Sequence, residues 1–191
     1  MRSDEEIAAA RIGPPELHNG TIYLAPYDPE WPRQFEPEAA RIRGALGERV
    51  LLLEHAGSTS VPGLSAKPII DIVLAVADTT DEPAYVPDLE AAGYRIRVRE
   101  PDWHEHRMLR GADPTVNLHV FTLGCSEIDR MMRFRDHLRA DEADRTLYEN
   151  AKQELAGRTW KYVQHYADAK SQVVEQIVAR SGVTPRDCVR H

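Results

Sequence analysis

Residues 50–76 read VLLLEHAGSTSVPGLSAKPIIDIVLAV. Two short apolar runs rich in branched side chains, 50–53 and 69–76, are expected as buried strands. Between them, Gly57, Ser58, Thr59 and Ser60 offer backbone freedom, unhindered amides and three hydroxyls, the parts of an anion or phosphate cradle. Twelve residues separate Ser58 from Asp71, an isolated acid inside the second run. A carboxylate there costs several kcal/mol to bury unless it is paired, metal-bound or at a cleft edge. A glycine turn with hydroxyls, followed by an acid on the next strand, is a plan for phosphates and a metal ion.

The Gly57-Ser58 pair, the gap and Asp71 resemble the nucleotidyltransferase superfamily signature, a Gly-Gly/Ser turn followed by an Asp-x-Asp/Glu strand. The fuller string EHAGSTSVPGLSAKPIIDI, with PYDPEW at 26–31, NLHV at 117–120 and FRDHLR at 134–139, is similar to the GrpB family. The likeness runs over about residues 22–180. It implies an α/β (α+β) fold: a mixed, twisted sheet of about five strands, packed helices and a C-terminal helical layer. It also implies a nucleotide or phosphorylated small molecule bound with a divalent metal, Mg²⁺ or Mn²⁺. Gly57, Ser58, Thr59 and Lys67 would meet phosphates, with Asp71 on the metal. Helix segments carrying Arg133, Arg135, Arg139 and Lys170 flank the family's cleft; of these, Arg133 and Lys170 are the first candidates for anion binding.

One position departs from the superfamily. Its catalysts carry a second carboxylate two residues after the first, on the same side of the strand, and here that residue is Val73. The two-metal clamp on a nucleoside triphosphate is therefore incomplete. His119 falls near the place of the superfamily's third acid, and His55 lies on a strand expected beside Asp71. Asp71, His119 and His55 together would suit Zn²⁺, Mn²⁺ or Fe²⁺ better than Mg²⁺, which prefers oxygen ligands. Three functions stay open: nucleotidyl or phosphoryl transfer to a small acceptor, different chemistry at an Asp/His/His metal site, and a nucleotide-binding module without turnover.

The 191 residues suffice for one domain with a sizeable core. A net charge of −7 argues against a general nucleic-acid or anionic-membrane surface and for a small-molecule substrate. The two cysteines, Cys125 and Cys188, give no metal or disulfide spacing. Without a secretory h-region or an apolar run near 18 residues, a cytoplasmic location is expected. Composition gives no oligomeric state.

The remaining chain divides into a polar lead-in (1–20), a single domain (21–182) and a frayed tail (183–191). Ser3 and its acidic followers could cap a short helix, expected to be partly ordered at best. A short strand at 21–25 precedes a helix started by Asp28 and Pro29 and ended by Gly47. Residues 94–99 alternate, with Tyr94, Ile96 and Val98 on one face and three arginines on the other. His104, Glu105 and His106 then open a hairpin strand and read as solvated. Helices are expected at 126–140 and 141–155, with one long helix at 159–180.

Overall fold

The computed structural model describes residues 1–14, 16–112 and 114–180; the expected tail at 183–191 lies outside them. Its strands are β1 (Leu52–Ala56), β2 (Ile70–Val76), β3 (Arg95–Glu100), β4 (His106–Gly111) and β5 (Val116–Thr122). They form one five-stranded sheet in the order β1-β2-β5-β4-β3. The β2–β5 pair is parallel and the other pairs are antiparallel, giving the mixed sheet expected from the sequence. The helices are α1 (Asp4–Ala10), α2 (Glu30–Leu46), α3 (Val86–Ala91), α4 (Ser126–Ala140), α5 (Glu142–Ala156), α6 (Val163–Ala169) and α7 (Ser171–Arg180).

Strand alternation sorts the central residues onto two faces. Ile70, Ile72, Leu74, Val116, Leu118 and Val120 join Trp31, Ile42 and Leu46 of α2 and Leu89 of α3 in the main core. Each fully buried branched side chain there contributes about 1.5–3 kcal/mol. On the other face Val73, Ala75 and Phe121 pack against Ile128 of α4. Outside α4, Tyr148 of α5 and Ile177 of α7 close a third cluster around Leu138, Val61 and Leu64.

Three local expectations are corrected. Residues 21–25 make no strand; the stretch holds only an isolated bridge from Ala25 to Ala66. The last helix does not start at Thr159, because Trp160 pairs with Gly20 and the Lys161 carbonyl accepts from the amides of His18 and Asn19. Helix begins only at Val163 and breaks between α6 and α7, at Lys170. In β3 a bulge between Ile96 and Val98 reverses the alternation. Ile96 packs on the main core, whereas Val98 and Glu100 turn to the opposite face.

The lead-in is more structured than expected. Ser3 and Glu6 form a complete capping box at the start of α1. Ile7 is buried, and the Ile12 amide donates to the Arg97 carbonyl at 3.0 Å, so this segment lies along the edge strand β3.

Candidate functional site

Beneath α1, between helices α4–α7 and the face of the sheet that carries Asp71, lies a cavity of about 410 Å³. Gly57, Ser58, Asp71, His119, Tyr148 and Lys170 line its polar end. Ile7, Val98, Met108, Met131, Phe134 and Val174 supply apolar wall.

The turn after β1 is built to approach Asp71. Gly57 has φ 66° and ψ −172°, a region open essentially only to glycine. A Cβ at this position would sit 2.3 Å from Asp71 Oδ2. Behind the turn, Ser60 Oγ donates to the Gly57 carbonyl at 2.6 Å. Arg139 of α4 donates twice to the Ser60 carbonyl, at 3.0 and 2.8 Å. Arg135 donates to the His55 carbonyl and to Glu54, both at 2.9 Å. The turn is thus clamped from α4 while its Ser58 side faces the cavity.

Asp71 retains 28% side-chain exposure, all of it at the cavity end of β2. Directly opposite on β5, Asn117 Nδ2 donates to Asp71 Oδ1 at 2.9 Å. His119 Nε2 stands 3.7 Å from the same oxygen, beyond hydrogen-bond reach. Burial opposes the Asp71 charge, but His119, Asn117 and the Lys67 ammonium together hold its carboxyl below the usual range. Two ammonium groups sit nearby. Burial and the neighbouring Lys170 lower Lys67 to about 8, with Asp71 opposing the shift. Lys170 is likewise lowered by burial. Both approach the Tyr166 ring, at 6.0 and 4.8 Å from its centroid, and the buried Tyr166 hydroxyl has no hydrogen-bond partner among the described residues. Burial raises Tyr148 to about 12, opposed by its hydrogen bond with Ser58.

Behind His119 a row of polar groups runs to the edge of the sheet. His106 Nε2 meets His119 Nδ1 at 3.0 Å, and His106 Nδ1 meets Glu100 Oε2 at 2.7 Å. His106 is 4% exposed, and burial lowers it to about 4 despite Glu100. Arg2 pairs with Glu100, and its backbone amide donates to Asp168 Oδ2 at 2.7 Å.

Of the residues nominated from the sequence, Gly57, Ser58, Asp71, His119 and Lys170 line one cavity, with Lys67 close behind. Three do not join them. His55 pairs with Ile72 in the sheet, hence on the opposite face from Asp71, where it stacks on Phe35 and meets Thr59 Oγ1 at 3.1 Å. An Asp71/His119/His55 ligand set is therefore not assembled. Thr59 is buried, and its hydroxyl donates to the Ile69 carbonyl. Arg133 is exposed on α4; helical spacing turns Arg130, Phe134 and Arg135 into the cavity wall instead. Asn117, Tyr148, His106 and Glu100 were missed as site residues. The first could have been found from register with Asp71, whereas Glu100 depends on a bulge that leaves no clear mark in the sequence.

The two-metal cluster that the fold resemblance implies does not fit these residues. Val73 is fully buried among Ala56, Ala75 and Phe121, so β2 offers Asp71 no second carboxylate on its own face, and Lys67 stands near Asp71. A single divalent ion would be held by Asp71 and by His119, whose Nε2 lies 3.7 Å from Asp71 Oδ1, with phosphate oxygens completing its shell.

The GrpB protein family model matches residues 21–180. The chain belongs to the GrpB family. A UPF0157 protein of Halalkalibacterium halodurans is 56% identical over 183 residues, covering 96% of this chain and 94% of that protein. One from Streptomyces coelicolor is 47% identical, covering 92% and 91%. The crystal structure of the conserved protein GrpB from Enterococcus faecalis superposes with a TM-score of 0.71 at 31% identity, over 83% of this chain and 98% of that one. A dephospho-CoA kinase of Mycolicibacterium paratuberculosis is 32% identical over 160 residues, which span 39% of that protein.

Proposed function

We propose that this GrpB domain binds a phosphorylated small molecule, a nucleotide being the first candidate, and transfers a phosphoryl or nucleotidyl group to a small acceptor. The observation that carries the reading is the convergence of the Gly57-Ser58 turn, Asp71 and Lys170 in one cavity, with Lys67 close behind. The Ser58 hydroxyl would contact phosphate, and Lys67 and Lys170 would balance its charge as point cations. Asp71 and His119 would hold one divalent ion, with Mn²⁺ tolerating this carboxylate–imidazole mix better than Mg²⁺. That ion would supply charge neutralisation on the transferring group. The protein's own share is positioning inside the cavity, with the apolar wall taking the body of the ligand. The dephospho-CoA kinase relatives handle an organic phosphate acceptor by name, but the matched segment is under half of each, so their reaction is not carried over.

Calorimetric titration with nucleoside triphosphates in the presence of Mn²⁺, followed by product analysis with small hydroxyl acceptors, tests the reading. Binding lost in Asp71→Asn and Lys170→Met is expected. Equal binding in parent and variants overturns it. Binding with no turnover of any acceptor would favour a non-catalytic module, the reading that the packed Val73 supports.

A further inference from the structure

The row from Glu100 through His106 to His119 has a definite direction, and it bears on what Asp71 faces. The Glu100 carboxyl is held in its charged form by His106 and Arg2, against the cost of burial, so it can only accept. His106 Nδ1, 2.7 Å away, must then carry the proton that it donates. In a neutral imidazole the other nitrogen is a lone pair, so His106 Nε2 accepts across its 3.0 Å contact with His119. His119 Nδ1 must donate. In the Nδ1–H tautomer set by this row, His119 presents the lone pair of its Nε2 to the cavity, 3.7 Å from Asp71 Oδ1.

We infer that Glu100 and His106 are positioning residues that fix His119 as its Nδ1–H tautomer, so that its Nε2 lone pair and the Asp71 carboxylate converge on one cation. The inference rests on the proposed function for the meaning of that cation, but not for its geometry. Several features serve the alignment. The β3 bulge turns Glu100 to the cavity face. His106 is locked on both sides, stacked on Phe121 at 4.8 Å between ring centroids and on His119 at 5.2 Å. The N-terminal strap brings Arg2 to Glu100, so docking of α1 completes the row. Outer partners that orient a ligating histidine typically change metal affinity 10–100-fold when removed.

The test uses the full chain, labelled with ¹⁵N-histidine, at neutral pH without ligand; long-range proton–nitrogen spectra distinguish the two tautomers. His119→Gln assigns the signal. The expected result is a protonated Nδ1 and a bare Nε2 on His119 in the parent. In Glu100→Ala the Nε2–H form should appear and Mn²⁺ affinity should drop 10–100-fold. Glu100→Gln, whose amide oxygen can still accept from His106, should restore both. An Nε2–H tautomer in the parent overturns the inference, whether or not any variant folds. So does an unchanged tautomer in folded Glu100→Ala. Because the tautomer is read without metal or phosphate, failure to bind a nucleotide or phosphate would sink the proposed function and leave the tautomer standing, whereas a parent that binds no Mn²⁺ would overturn the convergence on one cation.

Discussion

On β2 and β5 the even-numbered residues and the odd-numbered ones face different worlds. Ile70, Ile72, Leu74, Leu118 and Val120 are packed dry against α2 and α3, while Asp71 and His119, one residue away along the same strands, meet the polar end of the cavity, with Asn117 hydrogen-bonded to Asp71. The pleat alone makes the separation: neighbouring side chains point to opposite faces, so a hydrophobic core and a charged site share one backbone without mixing. The dry face supplies stability and the wet face supplies chemistry.

If that division is right, substitutions on the two faces should fail differently. The largest stability loss is expected for Ile72→Ala, which removes a fully buried side chain: about 2–5 kcal/mol by urea unfolding, with ligand binding kept in the folded fraction. Gly57→Ala should come close behind, at about 3 kcal/mol, because it joins a glycine-only backbone conformation to a collision with Asp71. Unlike Ile72→Ala, it should also abolish phosphate and Mn²⁺ binding, read by calorimetry. Asp71→Asn should leave the melting temperature within a few degrees and still lose Mn²⁺.

Histidine titration sharpens the contrast. His55, on the dry face, is lowered by burial from its ordinary value to about 4. The unfolded chain therefore binds the extra proton first as pH falls below about 6.5, and the folded chain follows only near 4. Stability should decline across that window, by of order 2–3 kcal/mol. His55→Gln should reduce the slope of this part of the pH–stability curve, leaving the share from His106, which is likewise lowered to about 4, without changing Mn²⁺ binding at pH 7.

How much of this was legible follows from the same geometry. The two strands around the Gly57 turn and the lone acid were readable, because apolar runs are local signals. The place of His55 was not, since neighbouring odd residues on different strands share a face only in the right register, and β1 pairs His55 with Ile72. Arg133 was misassigned among closely spaced arginines on one helix, where a single position decides between solvent and cavity. Glu100 and His106 escaped because the bulge in β3 and the docked strap are tertiary facts. An alternating strand with charged residues reads as solvated until something is known to cover it.

The most direct test of the central claim is Mn²⁺ binding followed by electron paramagnetic resonance, with and without inorganic pyrophosphate, in the parent, Asp71→Asn and His119→Gln. The account predicts one bound Mn²⁺ in the parent, tightened by pyrophosphate and lost in both variants. Mn²⁺ that fails to bind the parent, or that binds all three proteins alike, would contradict it.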